Sequence, residues 1–271
     1  MSDSPYAPHV GANVERFMGF AQHYDQYRPA PPKIILDILT QLARVERPHC
    51  VVDIGSGTGL ATRLWADRAG EVIGIEPSAD MRREAESRPL SNVRYQHGLS
   101  TQTGLGDSVA DIVTVSQALH WMEPVGTFAE VARILRPGGV FAAFDNDWKP
   151  TIDAEAEIAY RNFMRNAARI ESEQNYSPHV IHWEKEQHLE RMRASERFSF
   201  TKEVAVHNVE QGNAERLVGL ALSQGQVQTL IKNGVSAQEM GLDALQADAE
   251  RILGETLRPW YFTYRVRIGI R

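Results

Sequence analysis

The chain has one cysteine, Cys50, so no internal disulfide can form and a reducing, cytoplasmic setting is expected. It also lacks a block of lysines and arginines. Its 29 basic residues stand against 35 acidic ones, a net charge of −6, which speaks against the electrostatic footprint of a nucleic-acid-binding protein. No apolar run is long enough to span a bilayer, no repeat is seen, and no secretory leader is expected. Neither a membrane nor a nucleic acid is therefore expected as a partner. Cys50 opens an apolar run and reads as a small buried hydrophobe, not a nucleophile. The remaining composition, 42% hydrophobic and 24% charged over 271 residues, supports a proper core in one elaborated domain or two small ones.

What is present starts with Val51-Val52-Asp53-Ile54-Gly55-Ser56-Gly57-Thr58-Gly59-Leu60. A β-branched run reads as a buried strand, the glycines as a sharp turn, and a helix is expected from about Leu60 to Ala69. Such a turn lets a ligand touch the main chain, and the helix aims free N–H groups at it. Asp53, placed just before the glycines, would repel a pyrophosphate and welcome an ammonium. The Gly-x-Gly-x-Gly spacing also differs from the dinucleotide fingerprint. The next apolar run ends at Glu76, about 20 residues after the first glycine, where a ribose hydroxyl pair is gripped. A ligand with a ribose, a positive charge and no phosphate fits both acids. That describes S-adenosylmethionine, with S-adenosylhomocysteine as its product.

Four groups of residues then resemble one family. They are Asp53, Gly55, Gly57 and Gly59; Glu76-Pro77-Ser78 with Met81; Asp111 to Val115 with His120-Trp121; and Leu135-Arg136-Pro137-Gly138-Gly139. Together they resemble the class I S-adenosylmethionine-dependent methyltransferases, and within them the small-molecule enzymes similar to trans-aconitate methyltransferase. The likeness covers roughly residues 15–150. It implies a doubly wound, seven-stranded, mostly parallel α/β sheet with helical lid insertions. The division expected is 1–30 as a cofactor-covering segment, 31–150 as the Rossmann-like core, and 151–271 as lid helices plus the last two strands, all in one compact domain.

The resemblance implies cofactor contacts from Asp53, Gly55, Ser56, Gly57, Glu76 and Pro77. Met81, Leu99 and Ser100 would serve the adenine, and Gln117 the region beside the reactive methyl. Tyr24 and Arg28 lie in a Tyr-x-x-Tyr-Arg run that would fold over the cofactor, the guanidinium meeting its carboxylate. Many relatives carry an acid near position 101, where this chain has Thr101. The alternative for the N-terminal segment is a helix docked on the sheet with Arg28 solvated.

His120, after the fourth strand tip, is the candidate for chemistry. It either takes a proton as a neutral imidazole or merely shapes the pocket floor with Trp121. Trp121, Trp148, His182 and Trp183 are candidate acceptor-pocket residues. No metal is expected. Asp145-Asn146 offers half of a magnesium set, but the fourth-strand position that should complete it is Ser116. His179, His182 and His188 have no cysteine or zincin motif beside them. Further expectations are a strand at 92–96, a helix at 127–135, a strand at 140–144, helix from 151, a strand at 198–206, helix over 213–253 and a last strand at 260–270.

The expected function is metal-independent methylation of a small molecule, on oxygen or carbon before nitrogen, by a monomer or homodimer. The alternatives are a protein or RNA methyltransferase, favoured by a basic patch over the strand tips, and a cofactor-binding protein without transferase activity. A nicotinamide oxidoreductase ranks third because of Asp53 and the glycine spacing.

Overall fold

The computed structural model describes residues 8–271, apart from the side chains of Pro8 and Trp148. Its strands are β1 (Cys50–Ile54), β2 (Glu71–Ile75), β3 (Val93–Gln96), β4 (Ala110–Ser116), β5 (Leu135–Thr151), β6 (Phe200–Gly212) and β7 (Arg258–Ile270). They form one sheet in the order β3-β2-β1-β4-β5-β7-β6. From β1 the chain moves outward through β2 to β3, then returns to β4 on the other side of β1. This reversal makes the carboxyl ends of β1 and β4 the topological switch point, where open α/β sheets bind ligands. β1 to β5 pair in parallel. β7 is reversed: Arg271 N–H donates to Gly139 O at 3.0 Å at the start of β5, and Ser199 N–H donates to Ile270 O at 2.8 Å.

Contacts divide the chain into two compact units. The sheet unit holds Ala30–Asp147, His182–His207 and Thr263–Arg271. Every residue of β1 is buried, as a strand covered on both faces requires. Val52 and Ile54 join Phe128, Val131 and Ile134 of α5 (Pro124–Ile134) on one face. Val51 joins Ile35 and Leu39 of α3 (Ile34–Leu42) and Trp65 on the other. Each such side chain contributes roughly 1.5–3 kcal/mol by leaving water. Cys50 belongs to this core, 4% exposed, and burial pushes its thiol pKa up to about 11.

The second unit holds the residues up to Pro29 with Trp148–Ile181 and Asn208–Phe262. It comprises α1 (Pro8–Glu15), α2 (Ala21–Tyr27), α6 (Ala154–Glu173), α8 (Ala214–Leu222), α9 (Gly225–Lys232), α10 (Ala237–Met240) and α11 (Leu242–Ile252), together with the ends of β5, β6 and β7. Tyr160, Phe163 and Ala167 of α6 are buried with Leu217, Leu220, Val227, Leu230 and Leu245. A buried ion pair, Arg16 Nη1 to Glu171 Oε1 at 2.6 Å, ties the end of the N-terminal segment to α6. The sheet unit also contains α4 (Ala79–Glu86) and α7 (His188–Ala194).

Several boundaries differ from the sequence reading. The helix expected from Leu60 to Ala69 is only a 3₁₀ turn at Thr62–Trp65. There Thr62 Oγ1 donates to Asp53 Oδ2 at 2.6 Å and Trp65 is 1% exposed, so side-chain anchoring sets the pitch. The helical run over 213–253 is four helices, broken at Ser223-Gln224, near Gly234 (φ +77°) and at Gly241 (φ +81°), the two glycines turning left-handed. Residues 8–12 lie in α1; residues 1–7 are outside the described range. The fifth strand starts five residues early and absorbs the Arg136-Pro137-Gly138-Gly139 turn as an irregularity in its pairing with β4.

Candidate active site

The glycine loop is fixed from beneath. Gly55 and Ser56 N–H donate to Ile75 O at 2.8 and 3.1 Å, clamping the loop to the end of β2. Gly55 sits at φ +70°, and a Cβ there would meet Met122 Cε at 2.7 Å and Ala118 Cβ at 2.8 Å, so no larger residue fits. Gly57, at φ +54°, has nothing within 4 Å of the place a Cβ would occupy. Its N–H donates to Glu76 Oε2 at 2.9 Å, and Ser78 N–H donates to Glu76 Oε1 at 2.9 Å. One carboxylate therefore joins the loop to the start of α4, with a lone pair left on each oxygen. Burial raises the Glu76 pKa, against these backbone hydrogen bonds. Pro77 follows Glu76 directly, half-buried, while Met81 is buried on α4 and its N–H is capped by Ser78 Oγ.

Asp53 is fully buried under the loop. Its two oxygens accept from Thr62 Oγ1 at 2.6 Å and Thr114 Oγ1 at 2.8 Å. Burial pushes its pKa up to about 6 despite both hydroxyls. Leu99 exchanges backbone hydrogen bonds with Gln102 at 3.1 Å, and Ser100 Oγ accepts from Thr127 Oγ1 at 2.8 Å.

The end of β4 and the part of β5 beside it carry the second half of the site. Ser116 pairs with Phe144, so the residues just beyond, Gln117 and Asp145, come together. Gln117, at φ +55°, gives its N–H to Phe144 O at 2.9 Å and Nε2 to Asn146 Oδ1 at 2.5 Å. His120 follows in a 3₁₀ turn, 6% exposed, with Nδ1 3.4 Å from Asp145 Oδ1. Asp145 Oδ2 accepts from Arg267 Nη1 at 3.0 Å, and Lys185 Nζ lies 3.1 Å from Oδ1. Burial lowers the His120 pKa to about 4, against the pull of Asp145. For Asp145 burial acts the other way, but the bond to His120 and the Lys185 ammonium outweigh it and hold the carboxyl well below its usual range.

Of the candidate pocket residues, Trp121 and His182 flank the His120 ring, with centroids 4.8 and 4.9 Å away. Trp183 N–H donates to His120 O at 2.8 Å. The Trp148 side chain lies outside the described residues. Tyr24 and Arg28 belong to the second unit, where Arg28 stacks 4.7 Å over the Tyr24 ring. Arg28 Nη2 donates to Ser223 O at 2.9 Å and to Gln224 Oε1 at 3.0 Å. Of the three histidines weighed together, His188 lies with His120 and Asp145, whereas His179 is in the second unit. Sequence reasoning missed Lys185 and Arg267 and the pairing of Asp145 with His120. Only the last had a signal: the residues just past one strand's end face those level with them on its parallel neighbour.

Residues 52–143 match the family model described as a methyltransferase domain. An uncharacterized methyltransferase of Mycobacterium tuberculosis is 35% identical over 117 residues, 43% of this chain and 46% of the relative. A malonyl-[acyl-carrier protein] O-methyltransferase of a Marinomonas species is 30% identical over 146 residues, 51% of this chain and 54% of the relative. The chain thus spans about half the length of the curated relatives it matches. Among solved structures, a protein described as a type II methyltransferase from Anaeromyxobacter dehalogenans has a TM-score of 0.66 at 21% identity, over 90% of this chain and 98% of its own. The [4+2]-cyclase SpnF has a TM-score of 0.52 at 17% identity, over 98% of both chains. Among the described residues no helix is long and apolar enough to cross a membrane. Residues 52–143 thus resemble a methyltransferase domain, and the chain has the fold of the class I methyltransferases.

Proposed function

We propose that the protein transfers a methyl group from S-adenosylmethionine to a small-molecule acceptor, on oxygen or carbon, without a metal ion. The observation that carries this reading is the buried pair of His120, just past β4, and Asp145 of β5, in the same unit as the glycine loop and Glu76. The residues present suit the donor. The space beside Gly57 is one a Cβ would fill, and the Glu76 oxygens keep lone pairs for the two ribose hydroxyls. Backbone groups from Gly55 to Gly57 would hold the amino-acid end, and Met81, Leu99 and Ser100 the adenine. When bound, this donor supplies an electrophilic methyl group on a sulfonium.

The chain's own residues would do the rest. Asp145, 3.4 Å from His120 Nδ1, would favour a proton there, which leaves Nε2 to receive one. Trp121 and His182 flank the ring, which is itself 6% exposed. The likeness to an O-methyltransferase of Marinomonas favours oxygen as the acceptor atom. Asp145 faces two cations and position 116 is serine, so a hard cation lacks its oxygen set. The single buried thiol and the charge of −6 fit a protein of a reducing compartment, acting as monomer or homodimer without a membrane or nucleic-acid partner.

The test is calorimetry with S-adenosylmethionine and S-adenosylhomocysteine, followed by transfer of labelled methyl to a panel of small hydroxylated acceptors. His120→Gln should cut turnover by roughly 10²–10⁴-fold while the affinity for S-adenosylhomocysteine holds. No heat with either ligand would overturn the donor assignment. Unchanged turnover in the variant would return His120 to a packing role. A second reading comes from the shared fold with a [4+2]-cyclase. Binding of the donor with no methyl transfer to any acceptor would favour it.

A further inference from the structure

In the sheet unit His120, Asp145 and His188 each bring one ligand-type atom within 4.8 Å of the others, and all three are buried. This spacing invites a metal ion, yet the charges of the group already balance. Asp145 meets Arg267 at 3.0 Å and Lys185 at 3.1 Å, while Arg267 Nε donates to Glu203 Oε2 at 2.8 Å. Two carboxylates thus face these two cations, and Arg265, 3.7 Å from Glu203, is matched by Asp147 at 3.1 Å. Burial holds both imidazoles neutral, each with its pKa lowered to about 4. A divalent ion would leave uncompensated positive charge where desolvation makes charge costly. A group of this kind suits a neutral guest that it can split into a proton and an anion.

We propose that the methyl acceptor is an acidic hydroxyl compound, a phenol or an enol, whose proton passes to His120 and whose oxygen is held as an anion by Lys185. This rests on the methyl-transfer reading above and adds the class of the acceptor. In the step the O–H bond breaks and an N–H bond forms at His120 Nε2, with the electron pair left on oxygen. Asp145, 3.4 Å from Nδ1, compensates the imidazolium, and the anion takes the ammonium of Lys185 in exchange. Lys185 is placed for this: its side chain is 21% exposed against 4% for Asp145, so it stands on the outer side of the cluster, within 3.5 Å of Gln117 Oε1. The guest's neighbours would include Trp121, His182 and Trp183, flat faces on which a ring or a conjugated enol packs.

Chemistry separates this class from its rivals. A carboxylic acid arrives already ionised and needs no base. An alcohol holds its proton too tightly for so weakly basic an imidazole. Phenols and enols lie between, and a lysine beside the oxygen closes the remaining gap by favouring the anion.

The probe is 4-nitrophenol, whose anion alone absorbs strongly in visible light. It is titrated into the full-length protein, with and without S-adenosylhomocysteine, about one pH unit below its own ionisation. The bound probe should appear as the anion, its acidity raised at least about tenfold, equivalent to one pH unit. Lys185→Met should abolish that signal and leave the affinity for S-adenosylhomocysteine unchanged. In His120→Gln the anion should still bind, but its proton should be released to the medium, which calorimetry in two buffers of different ionisation enthalpy detects. A phenolate signal that persists in Lys185→Met, or no anion in the wild type, overturns the proposal. So does tighter, Lys185-dependent binding of 4-nitrobenzoate, or cobalt(II) uptake with the visible bands of a histidine-bound ion. Because the anion signal needs no donor, it decides the acceptor class whether or not S-adenosylhomocysteine binds. The donor reading stands or falls separately.

Discussion

The two halves of the candidate site, the loop with Glu76 and the cluster around Asp145, are built on opposite plans. At the ends of β1 and β2 a carboxylate binds main-chain N–H groups 19 and 2 residues away. In β5, just past the level where β4 ends, a carboxylate binds side chains, one of them 122 residues distant. The first is local geometry, set once the loop and strand pair form. The second exists only when four separate segments have come together. Stability should therefore depend on the second half and ligand affinity on the first.

The largest effect should come from breaking the long-range half. Arg267 is 2% exposed and joins Asp145 to Glu203, so Arg267→Leu leaves the buried Asp145 carboxylate short of charge. A loss of about 3 kcal/mol or more of unfolding free energy is expected, read by urea denaturation. Glu76→Gln should do the reverse: stability nearly held, but affinity for S-adenosylhomocysteine reduced by about 2–3 kcal/mol in calorimetry. If Glu76→Gln destabilised the fold as much as Arg267→Leu, the contrast between the halves would collapse.

A smaller effect concerns pH. His120 and His188 have folded pKa values lowered to about 4, below the value near 6.5 of an unfolded histidine. Between those limits the unfolded chain binds their protons and the folded chain does not. Their contribution is present above the unfolded pKa and is lost as pH falls through about 6.5 towards 4. Asp53 opposes this: its folded pKa of about 6 exceeds the unfolded value, so its share of stability grows as pH falls from 6. His188→Leu should reduce the slope of stability against pH by about 1.4 kcal/mol per unit in this window. Chemical denaturation at a series of pH values measures it, and an unchanged slope would mean that His188 is protonated in the folded state. Smallest of all, EDTA should leave turnover unaltered, since Asp145 is already paired with Arg267 and Lys185. Loss of activity on chelation, restored by magnesium, would reverse that assignment.

The same contrast explains what could be read from the sequence. β1, β2, β4, Asp53 and Glu76 were legible because a strand, its turn and the next strand tip occupy a few dozen consecutive residues. Lys185, His188 and Arg267 were not, because a lysine in a polar stretch carries no mark of a partner 40 residues back. The breaks at Gly234 and Gly241 were visible as glycines but were outweighed by the apolar stripe on either side. The missing helix after the loop had a different cause. Thr62 and Trp65 are tied to Asp53 and to the core, and those tertiary ties override local propensity.

The lone thiol of Cys50, sealed in β1 with its pKa pushed up to about 11, has a use at the bench. Maleimide and other thiol reagents require an accessible thiolate, and this one is neither accessible nor ionised at neutral pH. The wild-type chain is therefore a silent background for labelling. A cysteine introduced on the exposed side of α6, at Ile158, or in the polar stretch around Lys185 would take a single dye or spin label without removing Cys50. Each unit could then be followed separately as ligands are added, from one chemically addressable position at a time.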